Sequence, residues 1–139
     1  MSSIQLTRSR TKLETSTKVL KILLLEDSIL DVSLIRAKLK NELKFEDHVV
    51  DTRIAYIKAL QEFGPDIILS DYSLPQFDGL EALALLKESS LSCPFIIITG
   101  TLDEETAVSC IKVGADDYLL KDRLVRLPAA IRHCLLQHE

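Results

Sequence analysis

IILSDYSLPQFDG, residues 67–79, is the stretch whose reading decides the fold. Three apolar residues, Ile67 to Leu69, lead within two positions to a carboxylate, Asp71, and Pro75 and Gly79 follow closely. A short apolar run bounded by turn residues reads as a strand covered on both faces. A charged residue at the end of such a strand is most often a turn or cap residue. Whether Asp71 is more than that depends on what the rest of the chain brings beside it.

Outward from this stretch the pattern repeats. Apolar strand-like runs lie at 19–26, 48–54, 66–71, 94–100 and 116–121, the second weaker than the others. Between and after them helical spacing appears at 28–43, 54–63, 79–90, 104–114 and 123–137. Val32, Ile35, Leu39 and Leu43 share one helix face, with Ser28 as N-cap. Gly114 suits a helix C-terminus, and Pro128 places the start of the regular last helix close to itself. Five apolar strands alternating with five helices imply βαβ units and a doubly wound, mostly parallel α/β sheet. In such sheets ligands bind beyond the carboxyl ends of the strands.

The chain has 139 residues, enough for one domain with one core. It is 47% hydrophobic and 27% charged, an ordinary globular balance. With no span-length apolar run and no signal-like start, a cytoplasmic protein without membrane contact is expected. Residues 1–17 are rich in Ser, Thr and basic residues and read as a flexible N-terminal extension, with residues 18–139 as the folded domain. Residues 1–18 carry Arg8, Arg10, Lys12 and Lys18 against Glu14, a balance of +3. Taken from the total of −4, this leaves −7 on the rest, which disfavours direct nucleic-acid binding. Cys93, Cys110 and Cys134 are widely spaced and form no CxxC pair, so packed thiols are expected rather than zinc ligands or disulfides.

The strand ends carry the chemistry. The first ends in Glu26-Asp27, the third in Asp71, the fourth in Thr99-Gly100 and the fifth in Lys121. Three carboxylates converging on one mouth repel one another, and a hard divalent cation such as magnesium relieves that repulsion. One carboxylate can then act as an oxygen nucleophile toward an activated phosphoryl group. Lys121 and Thr99 offer an ammonium and a hydroxyl for the phosphoryl oxygens. Each residue alone reads as turn, cap or solvated side chain. Their coincidence at the carboxyl ends is the signal.

LLLEDS (23–28), LSDYSLPQFDG (69–79), IIITG (96–100) and GADDYLLKD (114–122), in this order and spacing, resemble the response-regulator receiver domain of two-component signalling. The resemblance covers about residues 19–137. It implies a flavodoxin-like (βα)5 fold with strand order 2-1-3-4-5, close to the chemotaxis receivers. It implies Asp71 as phosphoacceptor, and Mg2+ held by Asp27, Asp71, Glu26 through water and the Ser73 backbone carbonyl. It further implies Thr99 and Tyr118 as the switch pair and Lys121 as partner of a phosphoryl oxygen. The implied donor is a sensor histidine kinase or a histidine phosphotransfer domain. The implied response is a change in the face built by the fourth helix, fifth strand and fifth helix, in a monomer or weak dimer.

Two positions depart from the family pattern. Gly100 follows Thr99 where Ala is usual, and Asp122 follows Lys121 where a cis proline is usual. A cis bond before a non-proline residue costs about 2.5–4 kcal/mol, so this bond is either trans in a rearranged loop or cis and strained. Two other functions fit less well. An aspartate-nucleophile phosphatase of related fold needs a second Asp two residues after the nucleophile, where Ser73 stands. A flavin site needs a phosphate-cradling loop after the first strand, where Glu26-Asp27 would repel one. The intact acid, Thr and Lys set speaks against a receiver that is never phosphorylated. The expectation is therefore a switch module and not an enzyme, with no DNA-binding output domain after the fifth helix, either as a stand-alone receiver or as a fragment of a hybrid kinase or larger regulator.

Overall fold

The computed structural model describes residues 18–101 and 103–138. The expected extension, residues 1–17, lies outside them. Five strands, β1 (Leu20–Leu25), β2 (Phe45–Val50), β3 (Ile67–Asp71), β4 (Phe95–Thr99) and β5 (Asp117–Leu120), form one parallel sheet in the order β2-β1-β3-β4-β5. Five α-helices connect or follow them: α1 (Ile29–Leu39), α2 (Arg53–Glu62), α3 (Gly79–Glu88), α4 (Glu104–Val113) and α5 (Leu127–Gln137). This is the flavodoxin-like (βα)5 arrangement expected from the sequence.

The sheet divides its side chains between two cores, as period-2 alternation requires. Ile22, Leu24, Ile67, Leu69, Ile96, Ile98 and Leu119 face α1 and α5, where Val32, Ile35, Leu39, Leu127 and Ile131 meet them. Leu23, Leu25, Ile68, Phe95 and Ile97 face α2, α3 and α4, where Tyr56, Leu60, Leu83, Leu86 and Cys110 close over them. Helices on both faces explain why β1, β3 and β4 read as nearly unbroken apolar runs. All three cysteines are free and buried in these cores.

β2 is the exception, and the sequence reading placed it three residues late. It pairs only with β1, so its alternate residues remain half-exposed or exposed, and Glu46, Asp47 and His48 are tolerated there. Edge strands lack the continuous apolar run that marks the inner three, and β5, the other edge, is short and begins at Asp117. The first helix also stops earlier than its apolar spacing suggests. Beyond Leu39 the chain continues as turns, with the Leu43 amide on the Leu39 carbonyl at 3.0 Å, and this keeps Leu43 in the core. The last helix begins where Pro128 predicts: a 3-10 turn over Lys121–Arg126 leads into Leu127–Gln137, with the proline in the first turn.

Side-chain caps fix the starts of α1 to α4, whereas α5 has none and starts with Pro128 in its first turn. Ser28, Thr52, Asp78 and Asp103 accept from amides two or three residues ahead, at 2.8 to 3.4 Å. Gly114 closes α4 with φ of 120°, a conformation that a Cβ strains. Gly114→Ala should therefore destabilise the fold by about 1–2 kcal/mol in urea denaturation, without altering chemistry at the opposite edge of the sheet.

Candidate functional site

The carboxyl edge of the sheet is built from strand ends. Glu26 prolongs β1, its amide donating to the Val50 carbonyl at 3.1 Å. Asp71 is the last residue of β3, between β1 and β4. The loop after it folds back tightly. The Leu74 amide donates to the Phe77 carbonyl at 3.1 Å, and the Gly79 amide to the Tyr72 carbonyl at 2.8 Å. Phe77 anchors the loop in the core against Tyr56, with ring centroids 6.0 Å apart. A Cβ on Gly79 would stand 3.1 Å from the Asp71 carbonyl oxygen, so glycine lets α3 begin pressed against the strand end.

Lys121 organises the acids. Its Nζ lies 2.8 Å from Glu26 Oε1, 2.6 Å from Asp31 Oδ2 and 2.9 Å from Asp71 Oδ2. An ammonium has three N–H donors, and all three find a carboxylate here. Burial is the largest influence on Lys121 and favours the neutral amine, but the hydrogen bonds to Asp31, Glu26 and Asp71 outweigh it and raise the pKa above its ordinary value. Glu26 moves the other way from most paired carboxylates. Burial, with Asp71 adding repulsion, raises its pKa against the opposing hydrogen bonds from Lys121 and the Ser28 amide. Its Oε2 accepts from the amides of Asp27 and Ser28, each at 3.1 Å.

One carboxylate oxygen from each of Glu26, Asp27 and Asp71 lies within 4.8 Å of the others. Magnesium binds oxygens at about 2.0–2.1 Å in near-octahedral geometry, so these three hard donors fit one such ion together with water. A cleft of about 340 Å³ opens beside Glu26 and Asp27, lined also by Ile29, Val32, Ser33, Arg36 and Val49–Asp51. Neither Asp71 nor Lys121 lines it, so it adjoins the acid site without containing the phosphoacceptor candidate.

The other sequence candidates fall around this group. The Ser73 amide donates to Asp71 Oδ1 at 3.3 Å. Thr99 ends β4 one position beyond Ile98, the partner of Asp71, and its side chain is buried. Among the described residues no hydrogen bond joins Thr99 to Asp71 or Lys121. The Thr101 amide reaches Thr99 Oγ1 at 3.5 Å. Tyr118 is half-buried at the edge of the core, its hydroxyl donating to the Thr101 carbonyl at 3.5 Å. Burial raises the Tyr118 pKa. Gly100 faces open space. No cis peptide occurs among the described residues, so Lys121–Asp122 is trans. β5 runs directly into the 3-10 turn, and Leu124 buries itself to hold that turn in place.

Sequence reasoning missed Asp31. In the sequence it looks like an ordinary acid in the first turn of a helix. Its spacing gives no further signal, because Asp27 precedes the extended N-cap Ser28 and shares no helix face with it.

This geometry can be set beside known proteins. The family model described as the response regulator receiver domain matches residues 22–132. The chain belongs to this family. The receiver is 30% identical over 101 residues to the chemotaxis protein CheY of Halobacterium salinarum, covering 73% of this chain and 83% of that one. It is 42% identical over 66 residues to the nitrate/nitrite response regulator NarL of Escherichia coli, 48% of this chain and 31% of NarL. It covers 17% of the DNA-binding regulator NtrC of Proteus hauseri. The receiver therefore spans less than a third of these two larger regulators. A signal receiver domain from Vibrio parahaemolyticus superposes with TM-score 0.78 at 26% identity, covering 86% of this chain and 92% of that one.

Proposed function

We propose that the receiver accepts a phosphoryl group on Asp71 from a phosphohistidine of a sensor histidine kinase or histidine phosphotransfer domain. The P–N bond breaks as a bond from an Asp71 carboxylate oxygen to phosphorus forms, and the imidazole leaves with the electron pair of the broken bond. The observation that carries the reading is the Lys121 ammonium lying 2.9 Å from the Asp71 carboxylate at the end of a buried strand. The carboxylate is thus held beside a fixed positive charge, which phosphoryl transfer requires.

Asp27 and Asp71, Glu26 through water and the Ser73 carbonyl would hold magnesium, which supplies positive charge for the phosphoryl oxygens. A Pseudomonas aeruginosa sensor-kinase receiver of the same fold is described with a magnesium ion coordinated in its active-site cleft, which supports this reading. Lys121 would pair with one phosphoryl oxygen, and the Thr99 hydroxyl would move toward another. Tyr118, now beside Thr101, would turn inward as Thr99 shifts. The face of α4, β5 and α5 would then change its affinity for an effector protein or an adjoining domain.

Receivers act as phosphoacceptors rather than conventional enzymes, and Ser73 stands where a phosphatase would need its acid. Among the described residues no helix is long and apolar enough to cross a membrane. The test uses acetyl phosphate and magnesium, followed by mass spectrometry of the peptides. Phosphoryl on the peptide containing Asp71, lost on chelation of magnesium, is the expected result. An unmodified chain overturns the reading.

A further inference from the structure

We infer that Asp31 is a positioning residue for phosphoryl transfer: it anchors the Lys121 ammonium from the side of α1, so that one N–H stays aimed at the acceptor oxygen. This deepens the proposed function and rests on it. The Lys121–Asp31 contact, at 2.6 Å, is the shortest of the three that Lys121 makes. The residues come from opposite ends of the chain, one in the first turn of α1 and one just after β5.

A lysine is a point charge on a flexible four-carbon stem, so its direction must be imposed from outside. Three carboxylates impose it here, but they are not equivalent. Glu26 and Asp71 belong to the trio whose oxygens converge on a possible cation position, and Asp31 does not. A divalent ion at that position competes with Lys121 for Glu26 and Asp71. Asp71 also loses charge on one oxygen when the bond to phosphorus forms there. Asp31 is the partner that neither event claims. Its anchor holds Nζ at the mouth while the third N–H passes from the Asp71 carboxylate to a phosphoryl oxygen.

Asp31 also adds negative charge near an incoming anion, which works against transfer. The two effects have opposite signs, so experiment separates them. Misplacing a catalytic group by about 1 Å can cost on the order of 100-fold, whereas removing a repulsive charge raises the rate.

The test compares the intact chain with Asp31→Asn, Asp31→Ala, Lys121→Met and the double variant Asp31→Asn/Lys121→Met. Phosphorylation by acetyl phosphate is followed at saturating magnesium, with urea denaturation to verify folding. Asp31→Ala should slow labelling of Asp71 about tenfold, and Asp31→Asn, which keeps an acceptor oxygen, should slow it less. In the Lys121→Met background, Asp31→Asn should not slow labelling further, because the residue acts through the ammonium. A second readout is independent of turnover: in the metal-free protein the Lys121 ammonium protons should exchange with water faster in Asp31→Ala, by NMR. Equal or faster labelling in folded Asp31→Ala, or the same slowing with and without Lys121, overturns the inference and leaves the phosphoacceptor reading standing. Absence of label on the unaltered chain overturns both.

Discussion

Asp71→Asn is expected to abolish phosphoryl acceptance while leaving the sheet folded. Asparagine has the same shape, and its one oxygen still accepts from Lys121, now 2.9 Å from Oδ2, while the 3.3 Å bond from the Ser73 amide to Oδ1 is lost. Packing at the end of β3 is therefore preserved, but the amide is no oxygen nucleophile at neutral pH. Labelling should fall at least about 1,000-fold, to the background of the assay. Stability should move the other way. Asp71 pairs with Lys121 but repels buried Glu26; Lys121 keeps Glu26 and Asp31 as partners, so removing the Asp71 charge relieves a cluster in which acids outnumber the one ammonium. An increase of up to about 1 kcal/mol in urea denaturation is expected at neutral pH. Loss of function with equal or greater stability separates a chemical role for Asp71 from a turn-forming one. Undiminished label on another residue would place the acceptor elsewhere.

Much of this was legible in the sequence, for definable reasons. β1, β3 and β4 are covered on both faces, so their apolar runs are continuous and their ends well marked. Glu26, Asp27, Asp71, Thr99 and Lys121 each sit at a strand end, so alternation of strands and helices was enough to predict their shared edge. What depends on one-sided exposure was harder to read. β2, at the edge, mixes charged and apolar residues and loses its signal. Asp31 looks like any acid near a helix start, and only the return of the chain after β5 brings Lys121 to it. The missing proline after Lys121 left two loop geometries open. The chain adopts the trans bond and takes up the slack in a 3-10 turn, with Arg123 at φ −126°, ψ 40° as its irregular point.

Lys121→Met tests whether the ammonium neutralises the acid cluster, and it should change stability more than any surface substitution. The Glu26 side chain is 2% exposed and that of Lys121 19%. Removing one partner of a fully buried ion pair costs about 3–5 kcal/mol. The opening to water at the Asp31 side discounts that to about 2–3 kcal/mol for the metal-free protein at neutral pH. The pH dependence follows from the signs of the shifts. Lys121 has a raised pKa in the folded protein, so its contribution is fully present below the unfolded value of 10.5 and is lost as pH rises through the folded value. Glu26 is also raised, so its burial penalty appears as pH climbs above the unfolded value of 4.5 through the folded one. Without Lys121, Glu26 loses its largest stabilising hydrogen bond and is raised further. The deficit of Lys121→Met should then shrink as pH falls below neutrality and Glu26 takes up a proton. Magnesium should have the same restoring effect. In the unaltered chain Lys121 occupies Glu26 and Asp71, two of the three carboxylates that would hold the ion, and the variant leaves them free. Added magnesium should therefore raise the melting temperature of Lys121→Met more than that of the parent, by linkage to a tighter site. Equal shifts in the two proteins would mean that Lys121 and the cation do not share these carboxylates.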